Sequence, residues 1–493
     1  MGTRLSAGCL LALACATARP APRTDALAVE RRLLADARAA GDRQDFALAW
    51  REFAAAIGDA TFGQLTSAER HQAFRNASYA AWALKDGEMA RSFALRALAL
   101  PEAEVTDVAL RMAADHLLGD QRDCVQAVID VAGVSPRALE VLGMRWVLEA
   151  DRCASQVPRA EKLRLRFLRV LFDADYRFDA GESPHWLWSD LAGLEIEEGD
   201  VARATRVALA VRSPRLLVGL RADKRFAAIV AAHPDRFDVS RAASEWVETS
   251  RELAQRRPDK LEAVANLVEA LGARGGFAEA LAIADEAIGR ATGDARPPFD
   301  DVRRWLPWLR EGRARTLWSL GRFEDALDEW EEIAGDEADD VSHRINLAGR
   351  EIELGRGKDA LDDLGRLDRT HASPFGRMQL EAVRAVAADQ AGDAAAREEA
   401  LAWLRAHEAD APDAAFTAAV WLKDVEGAAR VIKTALADPE HRAEALGWVQ
   451  ELRESAQPPL AKEWKETFRR VASRPDVRDA VARVGKSEHY DIF

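Results

Sequence analysis

Four alanines, Ala326, Ala360, Ala394 and Ala428, recur at equal intervals of 34 residues. Around the first two the neighbours repeat as well: Leu320-Gly321-Arg322-Phe323-Glu324-Asp325-Ala326-Leu327 is answered by Leu354-Gly355-Arg356-Gly357-Lys358-Asp359-Ala360-Leu361. A fixed period of this size marks stacked supersecondary units, because each unit has an apolar face that it cannot bury alone. Gly stands in the middle of each unit and apolar residues at helical spacing flank it, so the unit reads as helix–turn–helix. A small residue on the first helix is answered by a small residue twelve later on the second, which lets the two axes approach. Ala37 with Ala49, Ser78 with Ala90, Ala192 with Ala204, Ala314 with Ala326, Ala348 with Ala360 and Ala382 with Ala394 obey this rule.

The rest of the composition agrees with helix. The 493-residue chain is 48% hydrophobic and has only three Tyr, while helix-forming Ala, Leu, Glu and Arg dominate. Lys and Arg number 69 against 83 Asp and Glu, a net charge of −14, and the two signs are interleaved. A nucleic-acid or anionic-membrane surface needs a basic patch or stripe, and the sequence has none. Nucleic acid is therefore not an expected partner.

These helix–turn–helix units resemble the tetratricopeptide repeat (TPR) family. The resemblance implies an all-α fold, a right-handed superhelix of antiparallel helix–turn–helix repeats in two modules. It also implies a concave groove, lined by the first helix of each repeat, that holds a segment of a protein partner. On this reading residues 26–218 form a degenerate N-terminal array. Residues 219–240, with Leu220-Arg221-Ala222-Asp223 and His233-Pro234, form a capping segment at the module boundary. Residues 241–442 form the C-terminal array and 443–493 a helical cap.

Residues 1–25 have the order of a secretory signal: a positive start ending at Arg4, then an uncharged run from Leu5 to Ala18 that is too short to span a bilayer. Two processing sites compete, cleavage after Ala16-Thr17-Ala18 and lipidation of Cys15 behind Ala12-Leu13-Ala14. The expected location is the periplasm, or the outer membrane as a lipoprotein in a bacterial envelope. The only expected membrane contact is an N-terminal lipid anchor, and a cytoplasmic adaptor is the alternative if the N-terminus is retained. Cys124 and Cys153 are then the only thiols of the folded part, and their spacing leaves open one disulfide or two unpaired thiols filling helix contacts.

Motifs for chemistry are missing from the sequence. There is no His-Glu-x-x-His, no Cys pair at zinc spacing and no Gly-x-Ser-x-Gly. The acidic stretch 173–182 fails as a calcium loop, because Phe178 stands where the turn Gly is needed. Gly355-Arg356-Gly357-Lys358 lacks the following Ser or Thr of a phosphate loop. No catalytic residue, cofactor or metal ligand is predicted, and an envelope enzyme carrying a superhelical domain is the rival reading.

Binding residues are sought on the first helices. Trp305, Trp308 and Trp318 gather around one of them, taken to start at Pro307, and Arg315 is seven residues after Trp308. Large aromatics beside an Arg suit a groove anchor. Asn76, Asn266 and Asn346 match an Asn that lines the groove in family members gripping a C-terminal carboxylate, although the companion Lys residues are missing. The predicted binding face is therefore Trp308, Arg315 and Trp318, flanked by Asn266 and Asn346. The predicted function is a non-catalytic scaffold for a protein or peptide partner.

Overall fold

The structure is a computed structural model that describes residues 23–493, apart from 135, 158–160, 179–180, 294–297, 337–340 and 368–371. The proposed signal and Cys15 lie outside the described residues. The described chain is helical almost throughout and divides into two compact units between Tyr176 and Arg177.

The first unit contains α1 (Arg23–Asp42), α2 (Phe46–Gly58), α3 (Ser67–Ala83), α4 (Gly87–Leu98), α5 (Val105–Leu117), α6 (Gln121–Val134), α7 (Pro136–Gln156) and α8 (Glu161–Asp173). Each of the first six packs on its neighbours in sequence, so α1–α2, α3–α4 and α5–α6 are stacked antiparallel hairpins. The small-residue crossings hold: Ala37, Ala49, Ser78 and Ala90 are all completely buried, and the Ser78 hydroxyl donates to the Ala90 carbonyl at 2.8 Å. At each hairpin turn one residue takes a left-handed conformation, Gln44, Lys85 and Gly119 in turn. An Asp follows each of them, and Asp45 and Asp86 cap the second helix through their side chains.

The second unit opens with α9 (His185–Glu197), α10 (Val201–Ala208), α11 (Pro214–Ala222), α12 (Ala227–Ala232) and α13 (Val239–Arg256). Then come α14 (Leu261–Arg274), α15 (Phe277–Gly293), α16 (Val302–Ser319), α17 (Phe323–Asp336), α18 (Val341–Glu353) and α19 (Gly357–Gly365). It closes with α20 (Pro374–Ala391), α21 (Ala394–Ala406), α22 (Pro412–Trp421), α23 (Val425–Ala437), α24 (Arg442–Trp448), α25 (Ala461–Ala472) and α26 (Pro475–Val484). The same turn recurs, with left-handed Gly275, Gly321, Gly355, Gly392 and Lys423 between paired helices. Gly357 is fixed by packing instead. A Cβ there would stand 2.5 Å from the Ala387 carbonyl oxygen and 2.6 Å from Gln390 Cβ, so its place is a close approach of α19 to α20.

Two expectations from the sequence are corrected. The period slips at Ala394. Ala326, Ala360 and Ala428 are each the fourth residue of their helix and fully buried, but Ala394 is the first residue of α21 and exposed. The α20–α21 contact is made by Ala400 and Leu404 with Met378, Ala382 and Ala385. The module boundary also lies elsewhere, at residues 176–177 and not within 219–240. The reason is that α11 is built into the second unit. Ala222 belongs to the same apolar cluster as α23, α24 and α26, and its carbonyl accepts from the Lys486 amide at 3.0 Å. Asp223 bridges to Gly485, and the short parallel strands β1 (Glu451–Leu452) and β2 (His489–Tyr490) continue that return path.

The crossings set a first expected outcome. Ala326→Leu or Ala360→Leu forces a larger side chain between helices that leave no room, costing roughly 1–3 kcal/mol. Urea denaturation of each variant measures it, and unchanged midpoints for both would mean that these alanines are not the crossing residues.

Candidate functional site

The first helices of the first unit converge on a groove of about 590 Å³. The cause is legible on α3, where Gln72, Arg75, Asn76 and Tyr79 stand at i, i+3, i+4 and i+7 and so share a face. They line the groove together with Arg38 and Asp42 of α1, Thr106 and Leu110 of α5, and Trp146 of α7. Small residues, Gly41, Ala49, Ala80 and Ala113, keep it open.

Its walls are aromatic and its polar groups are held. Tyr79 meets Phe46 edge-on with ring centres 5.7 Å apart, and its other neighbour is Trp82 at 5.8 Å. Tyr79 is nevertheless 46% exposed, an unusual state for a large ring among aromatics. The Gln72 amide donates to Asn76 Oδ1 at 3.1 Å. Arg75 is clamped from beneath: its Nε donates to Asp107 at 2.8 Å and its NH2 pairs with Glu104, also at 2.8 Å. Asp107 is completely buried, touches His71 Nε2 at 2.7 Å and accepts from the Glu104 amide at 2.7 Å. Burial alone would raise its carboxyl, but the bonds from Arg75, the Glu104 amide and His71 outweigh it and hold it below the usual range.

The predicted face on α16 is only partly assembled. Trp308 is 51% exposed and leans on His343 with ring centres 5.9 Å apart. Arg315 is half-exposed and pairs with Glu311 at 3.4 Å, while Glu311 accepts the buried Trp330 indole N–H at 2.7 Å. Trp318 is not on that face. It is 7% exposed, packed edge-on against Phe323 and Trp330, with the Arg350 guanidinium over its ring. Ten residues fall short of three full turns by about 80°, enough to carry Trp318 into the core. The helix begins at Val302, so Pro307 lies within it. Asn346 is exposed on α18. Asn266 is engaged by its own chain, since its amide donates to Glu182. Burial first, then Glu269, push the Glu182 carboxyl up to about 7. Trp305 is partly buried against the α14–α15 cluster.

Sequence reasoning also missed one cluster. Among the described residues, His116, Glu149 and Cys153 bring metal-capable atoms within 4.8 Å of one another. The Arg152 guanidinium already contacts two of them, Glu149 at 2.6 Å and His116 Nδ1 at 3.1 Å. Their sequence separation hides the grouping, which only the α5–α7 packing creates.

Stacked antiparallel hairpins, small crossings and a repeated left-handed turn decide the architecture. The fold is a TPR-like helical array. No family model matches the chain, and no curated protein matches it. Among solved structures the chain is similar to one in the crystal structure of the APC/C hetero-tetramer Cut9–Hcn1, with 12% identity over 94% of this chain and 88% of that one. The TM-score is 0.27, and at that level the likeness carries no argument. The TPR-like architecture rests on the helices themselves.

Proposed function

We propose that this TPR-like array is a non-catalytic protein-interaction scaffold whose first unit receives an extended or helical partner segment with apolar anchor side chains. The observation that carries this reading is the groove itself, where a half-exposed Tyr79 stands between Phe46 and Trp82 above amide groups that suit a main chain. Aromatic anchors bury large area with few rotatable bonds, which is what a binding hot spot requires. The lining polar groups include the Gln72 and Asn76 amides, the Arg75 guanidinium already bound to two carboxylates, Arg38, Asp42 and the Thr106 hydroxyl, a set able to hold and orient a peptide main chain. A second surface is favoured by Trp308 and Arg315, both half-exposed on α16 and seven residues apart.

Work in a bacterial envelope is part of the proposal, and the order of residues 1–25 supports it. Among the described residues no helix is long and apolar enough to cross a membrane, so the membrane contact proposed is a lipid on Cys15. Intact mass from the native host tests this: a chain retaining Met1 overturns export, and diacylglycerol on Cys15 supports the anchor.

The groove is tested by selecting peptides from a displayed library on the full chain and mapping hydrogen exchange with the tightest. Protection is expected in α3, α5 and α7. Protection confined to α16 and α18 would move the site to the second surface.

A further inference from the structure

We infer that Cys124 and Cys153 form a modification site, a thiol pair that a disulfide-bearing oxidant closes into a bond between α6 and α7. Both side chains are completely buried, and the Cys153 thiol donates to Cys124 Sγ at 2.8 Å. They come from helices that pack side by side within the first unit. Cys124 is the fourth residue of α6, the place that Ala90, Ala326, Ala360 and Ala428 occupy on their helices. Close packing at that place needs only a small side chain, and Ala supplies it elsewhere. Packing therefore accounts for a small residue at 124 but not for a second sulfur set against it.

The surroundings favour bond formation over another use of the sulfurs. Val125, Val128, Val147 and Ala150 are buried on the same two helices, so the pair sits in apolar packing. Glu149 is 3.9 Å from Cys153 Sγ and is engaged by Arg152. A metal at His116, Glu149 and Cys153 would have to displace that guanidinium.

The exchange balances with an external disulfide, RS–SR. The Cys153 thiolate attacks one sulfur, forming a mixed disulfide and releasing RS⁻, which takes up the proton that Cys153 lost. Cys124 then attacks the Cys153 sulfur, expels the second RS⁻ and loses its own proton to it. Two protein thiols are oxidised and RS–SR is reduced to two RSH. The interaction with Cys153, then burial, pushes the Cys124 thiol well up, which favours Cys153 as the first nucleophile. Full burial makes the reaction wait on local opening, and it then shields the product from reductants. The closed loop includes the start of α7, the helix that carries Trp146 to the groove.

The test uses the full chain, incubated with oxidised glutathione or with a reductant, then alkylated while unfolding and digested with trypsin. A linked pair of peptides covering residues 123–137 and 153–159 is expected only in the oxidised sample. The oxidised protein should melt higher than the reduced protein by roughly 5 °C or more, as expected for a loop of this length. Cys124→Ala, which installs the residue used at the same place in other hairpins, should remove that difference, and Cys153→Ser serves as the second control. Both thiols alkylated, or each carrying glutathione separately, after prolonged oxidation would overturn the proposal. Zinc retained at one equivalent with both thiols reduced would overturn it in favour of a metal site.

Discussion

Asp107→Ala should destabilise the first unit by about 3–5 kcal/mol, the range for removing one partner of a buried ion pair. Asp107 does three jobs at once. It completes the reciprocal capping of α5 with Glu104, binds the Arg75 guanidinium and meets the buried His71. Without it, Arg75 keeps only the more exposed Glu104, and the His71 ring is left in the core beside a cavity. The pH dependence follows from the same bonds. The folded carboxyl lies below its ordinary value, so the stability it contributes is present above the unfolded value and is lost as pH falls through the folded one. Chemical denaturation at neutral and acidic pH should show the variant's deficit shrinking as pH falls. A variant as stable as the parent at pH 7 would mean that this network does not hold α3 to α5.

Glu351→Gln should do the opposite, raising stability, and more so as pH increases. Glu351 is buried on α18, and its Oε2 finds no hydrogen-bond partner among the described residues. Burial first, then Asp363, Asp359 and Glu331, push its carboxyl up to about 8, with only Arg356 opposing. Between pH 4.5 and 8 the folded protein keeps a proton that the unfolded chain releases, so this group's contribution falls as pH rises. Glutamine fills the same space without that dependence. The gain should be near zero at pH 4 and on the order of 2–4 kcal/mol at pH 8. Parallel pH–stability curves for variant and parent would show that Glu351 is ionised in the fold.

The architecture was legible because packing rules act locally. A small residue answered twelve positions later, with a turn between, specifies a close-packed hairpin wherever it occurs, and Ala37 with Ala49 or Ala348 with Ala360 behave as read. Ala394 misled because equal spacing in sequence does not guarantee equal position on the helix, and α21 starts three residues late relative to its relatives. The boundary near residue 220 was misplaced for a different reason. The contact that binds α11 to the second unit comes from residues 485 and 486, far along the chain, and no local pattern announces it.

The site was harder to see for a related reason. The cleaner repeats of the second unit drew attention to α16, yet Asn266 is taken by Glu182 and Trp318 by its own core. The groove of the first unit was half-written in the sequence, in the helical spacing of Gln72, Arg75, Asn76 and Tyr79. What no spacing could show is that Phe46 at the start of α2 meets the Tyr79 ring and that Trp146 of α7 lines the same groove. The Cys124–Cys153 contact is hidden in the same way, since it depends on how α7 lies on α6.

The central claim is that the groove around Tyr79 binds the partner, and the most direct measurement is the affinity of a library-selected peptide for Tyr79→Ala against the parent protein. Tyr79 is half-exposed, so its truncation should lower the melting temperature only slightly while weakening the peptide about tenfold or more. Equal affinity for a folded Tyr79→Ala variant, with a loss on Trp308→Ala instead, would contradict the account and place binding on the second unit.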